Sequence, residues 1–179
     1  MTAQAHRQEP EAAPGARPDK VPPPGQEEKT VTQPRAAKVA AADVAPNIRR
    51  GGDVRTLLTP RSVGATSGFM GTATIEPGQY IAEHYHPYSE EFVHVVRGRL
   101  RVRLDGEPVD VRPGEALFVP IGVRHRLENT GDEQVSVVFH LGPLAPRPDL
   151  GHVDTEELPH PDAPHGGAAP ADPVTGSRP

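Results

Sequence analysis

Residues 83–92 read EHYHPYSEEF, which places His84 and His86 one residue apart and Glu90 and Glu91 a few residues later. Imidazole and carboxylate are the side chains that hold zinc, iron, manganese or nickel, and they are also the groups that move protons near neutral pH. The chain has no cysteine, and closed structural zinc sites mostly use thiolate, so a site here would be of the open kind. A His-x-His pair alone is weak evidence, because any strand can carry two surface histidines. Its meaning depends on which other groups share its face, and that depends on the elements that carry it.

Between residues 54 and 141 apolar residues recur with period two, in short runs cut by Gly, Pro and Asp. That pattern predicts an all-β domain with little helix, built as a sandwich or a barrel. RLRVRLDGEPVDVRPG predicts a hairpin turning at Asp105-Gly106, and RHRLENTGDEQVSVVFHL predicts a second one turning at Gly131-Asp132. Side chains two apart share a face, so His84 and His86 are in phase. If Glu91, Val93 and Val95 face inward, Phe92, His94 and Val96 face out, and Glu91 then excludes His94 as a partner ligand. His125 shares a face with Leu127 and Asn129 and can reach the same lumen. Three imidazoles and one carboxylate would leave one or two coordination positions open to water or substrate.

The ends of the chain read differently. Of 23 prolines, eight fall at or before Pro46 and eight after Pro143, whereas every Phe and Tyr lies between Phe69 and Phe139. We expect residues 1–45 to be a disordered Pro/Ala-rich tail, 46–149 the folded domain, and 150–179 a flexible Pro/His-rich tail in which His152, His160 and His165 are solvated. Neither a membrane-length apolar run nor a secretory leader is legible, so a cytoplasmic protein without a membrane partner is expected. A net charge of −5 argues against nucleic acid as a partner. The basic run Arg99–Arg103 alternates with Leu100 and Val102 and reads as the wet face of a strand.

The glycines and prolines around the histidines carry a stronger signal. From Gly78 the chain runs G-x5-H-x-H-x4-E-x6-G through His84, His86 and Glu91 to Gly98. From Gly114 it runs G-x5-P-x-G-x2-H-x3-N through Pro120, Gly122 and His125 to Asn129. Both stretches resemble the two motifs of the cupin superfamily, which implies a small antiparallel β-barrel or jelly-roll sandwich with a metal at His84, His86, Glu91 and His125. Residues 47–157, including RRGGDVRTLLTPRSVGATSGFMG and HYHPYSEEFVHVVRGRLRVRLDGEP, are similar to the small cupin-type cyclases of aromatic (type II) polyketide pathways, of the spore-pigment, tetracenomycin or resistomycin kind. That resemblance implies ring closure on a poly-β-ketone substrate, enzyme-bound or carrier-bound, in association with polyketide synthase components, by a homodimer holding one divalent metal ion. Zinc is the leading expectation, with iron, manganese or nickel open.

Such chemistry needs a carbonyl polarised while an enol carbon attacks it, inside an apolar template. Phe69, Met70, Ile75, Tyr80, Phe118, Leu127 and Phe139 are the candidate pocket residues, with Tyr85 and Tyr88 at its rim. Glu91 and His140 are the candidate catalytic acid/base groups, and His140 is a further ligand if its face of VVFHL is the lumen. Two other readings compete: an Fe(II) oxygenase on the same ligands, and a non-catalytic binder or chaperone of polyketide intermediates.

Overall fold

A computed structural model describes residues 36–167; the rest of both expected tails, 1–35 and 168–179, lies outside the described residues. Ten strands follow one another: β1 (Asp53–Leu58), β2 (Phe69–Ile75), β3 (Tyr80–Tyr85), β4 (Glu90–Arg97), β5 (Leu100–Leu104), β6 (Glu107–Val111), β7 (Ala116–Val119), β8 (His125–Glu128), β9 (Val135–Gly142) and β10 (Val153–Asp154). They form two five-stranded antiparallel sheets, ordered β1-β2-β9-β4-β7 and β10-β3-β8-β5-β6. The only α-helix among the described residues is a single turn, Pro60–Val63, and no helix there is long and apolar enough to cross a membrane.

The period-two pattern buries one face of each sheet against the other. Ala73, Ile75, Val93, Val95, Val135, Val137, Phe139 and Leu141 from the first sheet meet Ile81, Leu100, Val102, Val111 and Leu127 from the second. Removing this aliphatic surface from water is the main favourable term for a two-layer β fold. The arginines of β5 stay on the wet face, where Arg101 pairs with Asp110 and Arg103 with Glu128. The β5–β6 hairpin forms as expected, with Asp105 (φ 48°) and Gly106 (φ 94°) both left-handed, the backbone a tight two-residue turn requires.

The second expected hairpin does not form. β8 pairs with β3 and β5, whereas β9 pairs with β2 and β4, so the segment between them crosses from one sheet to the other. Asn129 makes that corner. Its Nδ2 donates to the carbonyls of Ile75 and Glu133, both at 2.8 Å, and its Oδ1 accepts from the Gly131 amide at 3.0 Å. The buried amide is satisfied at both ends, as a buried polar side chain must be.

The ends of the domain are also wider than the sequence suggests. Val44 is buried against Leu57, and Arg55 Nη1 donates to the carbonyls of Ala41 and Val44. Beyond residue 149 the chain does not leave the domain: β10 adds to the edge of β3, and Gly167 bridges back to Ala45. The expected tails are therefore corrected over 36–45 and 150–167. Edge addition explains it, since β10 meets the free edge of β3 with backbone bonds and needs few apolar residues to do so.

Replacing Asn129 with Ala removes the side-chain donor from the buried Ile75 carbonyl and from the part-buried Glu133 carbonyl, and the acceptor from the Gly131 amide. We expect a loss of about 2–4 kcal/mol in urea unfolding, with the strand content of the folded state unchanged.

Candidate metal centre

His84 stands near the end of β3, His86 just past it, Glu91 near the start of β4 and His125 at the start of β8. All four are buried, and one ligand atom from each falls within 4.8 Å of the others. Strict alternation would not place His84 there. Ile81 faces the core, so His84, three residues on, should face solvent; a register shift in the β3–β8 ladder between Ile81 and His84 turns it inward. The turn after the histidines is fixed by the second motif, where the amide of Gly122, in the left-handed region at φ 80°, donates to the carbonyl of His86.

Each imidazole is aimed by the same device. The Nδ1–H of His84 donates to Ala82 O at 2.7 Å, that of His86 to Gly151 O at 2.8 Å and that of His125 to Val123 O at 3.0 Å. This sets the tautomer, leaving every Nε2 lone pair free. Oε2 of Glu91 lies 2.8 Å from His125 Nε2 and 3.3 Å from His86 Nε2. Despite the short contact, neither Glu91 Oε2 nor His125 Nε2 makes a hydrogen bond of acceptable geometry. Buried polar atoms that converge without bonding one another are what a shared third partner would satisfy, and three imidazoles with one carboxylate are a donor set that suits a divalent cation.

The electrostatics agree. Burial pushes the Glu91 carboxyl up, but His125 and then His86 outweigh it and hold the group well below the usual carboxylate range. Burial likewise lowers His125, and the adjoining Glu91 carboxylate overrides it, so His125 is raised. His84 has no such partner. Burial, followed by His125 and His152, drives it well below its ordinary value and keeps it neutral.

A cavity with about 160 Å³ of space open to water-sized groups adjoins these ligands, many times the ~15 Å³ that one water needs. Among the expected pocket residues Phe69, Leu127 and Phe139 line it, joined by Val54, Val137 and Leu141. The other four do not, and for three of them alternation is the reason. Phe69 faces in, so Met70 faces out, paired in register with His140. Ile81 faces in, so Tyr80 lies outside beneath the Arg126 guanidinium, 3.8 Å from its ring centre. Phe118 is 47% exposed and packs on Phe92, and Ile75 is fully buried in the core away from the cavity wall. Tyr85 and Tyr88 also lie off its lining.

His140 is corrected in the same way. Phe139 and Leu141 face the interior, so His140 is exposed on the outer face, its ring centre 6.1 Å from that of Phe92. It is not with the ligands.

His152, expected in a solvated tail, lines the cavity. Its ring stacks on His84, with centres 4.2 Å apart and planes at 18°, and stands 5.1 Å from His86. Its Nε2–H donates to Asp154 Oδ1 at 3.0 Å, and Arg50 grips both oxygens of Asp154 at 2.6 and 3.0 Å. Burial, then Arg50 and the neighbouring imidazoles, pull His152 down to about 2. Asn47, Arg50 and Thr56 complete the polar lining. The one signal for this edge in the sequence is that the cyclase resemblance runs on to residue 157, past the expected end of the domain.

Comparison with known proteins agrees with the fold and the motifs. Residues 71–141 match the model of the cupin domain. The chain is 63% identical to protein SchB of Streptomyces halstedii over 71% of this chain and 92% of that one. It is 53% identical to the tetracenomycin polyketide synthase protein TcmJ of Streptomyces glaucescens over 77% and 93%. The structure of the polyketide cyclase RemF from Streptomyces resistomycificus superposes with a TM-score of 0.56 at 21% identity, covering 70% of this chain and 89% of that chain, which speaks for the shared fold. With two curated relatives matched over nine-tenths of their length and both histidine motifs in place, the chain belongs to the cupin family, in company with SchB and TcmJ.

Proposed function

We propose that this protein is a metal-dependent cyclase that closes rings of a poly-β-ketone chain in aromatic polyketide biosynthesis. The observation that carries the reading is the buried cluster of His84, His86, Glu91 and His125 beside an apolar cavity, in a chain 53% identical to a protein of tetracenomycin polyketide synthesis. These four residues would hold one divalent ion, whose chemistry there is Lewis-acid polarisation of a keto oxygen. Phe69, Leu127, Phe139 and Leu141 bind the folded chain and keep water from it, so that an enol carbon meets an internal carbonyl rather than solvent. One carbon–carbon bond forms and water is lost as the ring becomes aromatic. No oxidant enters that balance.

A homodimer fits the outer face of the sheet that holds β4, β7 and β9. Phe92 (46% exposed), Phe118 and Val96 (56%) stand there with His94 and His140, an apolar surface of the kind that marks association. A second copy of the chain is the partner we infer. Phe92→Glu with Phe118→Glu should turn a dimer into a monomer in light scattering, with little change in the thermal midpoint of a purified monomeric fold.

The metal reading makes two predictions. His84→Ala and His125→Ala should each lose bound metal in elemental analysis and shift a reconstituted synthase to unclosed or misclosed products, while wild type turns over equally well without oxygen. Native products from metal-free variants would defeat the cyclase reading, and oxygen dependence would favour an oxygenase. Affinity should also fall with pH in a defined way. His84 stays neutral and Glu91 stays ionised, so the proton on His125, whose value is raised, competes with the metal. Binding should therefore weaken by about tenfold per pH unit below the raised His125 value and level off above it, read by titration with a chromophoric chelator.

A further inference from the structure

The cavity has two walls of different chemistry. One is apolar, and the other is an imidazole that no ligand set requires: His152, contributed by the edge strand β10 and the residues before it. The ring is held from two sides, and one of its two holders is itself fixed. It stacks on His84, Asp154 takes its Nε2–H, and Arg50 fixes Asp154 with two bonds. The strap that carries it is tied down too, since Gly151 O accepts from His86 and Thr155 bonds Glu83 through both its amide and its hydroxyl. A surface histidine needs no such support. Nδ1 of His152 has no hydrogen-bond partner among the described residues, and it belongs to a ring lining the cavity.

We propose that His152 is a substrate-contacting residue: its Nδ1 hydrogen-bonds an enol oxygen of a bound β-diketone unit and so fixes which part of the chain lies against the His84, His86, Glu91 and His125 cluster. With Nε2–H given to Asp154, Nδ1 of the ring is an acceptor, and the enol hydroxyl donates to it. The bond positions the chain and transfers nothing. The inference rests on the cyclase reading for the identity of the substrate, and it names the residue that sets register within it.

The test uses the metal-loaded protein and benzoylacetone, a stable β-diketone that enolises. His152→Phe keeps a ring to stack on His84 and removes the hydrogen bond; His152→Asn places an amide about as far out as Nδ1. Benzoylacetone should bind His152→Phe about 3- to 10-fold more weakly than wild type by calorimetry, with metal content unchanged, and His152→Asn should recover most of the difference. With the synthase, His152→Phe should close rings at altered positions rather than cease turnover. Equal affinity for wild type and His152→Phe, no binding to wild type, or loss of metal from His152→Phe would overturn the proposal. If His152→Phe does not fold, the Nδ1 resonance of His152 in nitrogen-15-labelled wild type should move on adding benzoylacetone, and a resonance that stays in place overturns it equally. The two readings fail separately: native products from metal-free His84→Ala defeat the cyclase, whereas wild-type binding by His152→Phe with metal-dependent products defeats only the role of His152.

Discussion

The site depends on three hydrogen bonds from imidazole to main chain. His84, His86 and His125 each spend Nδ1 on a backbone carbonyl, so the main chain itself decides that every Nε2 turns toward the cluster. Without those bonds the rings would rotate, and a buried carboxylate would lie among apolar side chains with no fixed partner, which is costly. Two of the three acceptors, Ala82 and Val123, lie two residues before the histidine they hold, a purely local arrangement. The third is Gly151, 65 residues on from His86, and it makes the centre depend on a strap beyond the core strands.

That strap gives the cavity its character. Most of the barrel interior is aliphatic, suited to holding a flat or folding carbon chain by area alone. For the substrate proposed above, area does not choose one register of a repeating chain over another, since each unit offers much the same surface. Polar contacts at fixed points do, and Asn47, Arg50, Thr56 and His152 are the groups placed to make them. Arg50 and Asp154 serve both ends of this arrangement, closing the edge of the β3 sheet and holding the ring of His152.

Much of this was legible in the sequence. Alternation in β4 placed Glu91, Val93 and Val95 inside with His94 outside, and two motif spacings brought His125 to His84 and His86. The failures share physical causes. Phe69 with Met70, and Phe139 with His140, cannot share one lumen, because neighbours on a strand face opposite ways. The inward turn of His84 relative to Ile81 depends on an irregularity in the β3–β8 ladder that no local residue announces. The Asn129 corner resembles a hairpin until the partners of β8 and β9 are known, because strand pairing is non-local. His152 was lost for a compositional reason: it sits among Pro, Gly and charged residues, and the backbone pairing that orders it needs no apolar pattern.

The central claim is that three imidazoles and one carboxylate surround a single divalent ion, and X-ray absorption spectroscopy of the metal-loaded protein tests it most directly. The account predicts one metal per chain with imidazole scattering from three rings and an oxygen shell that includes Glu91, losing one ring in His125→Ala. A spectrum of oxygen neighbours alone, or one unchanged by that substitution, would contradict it.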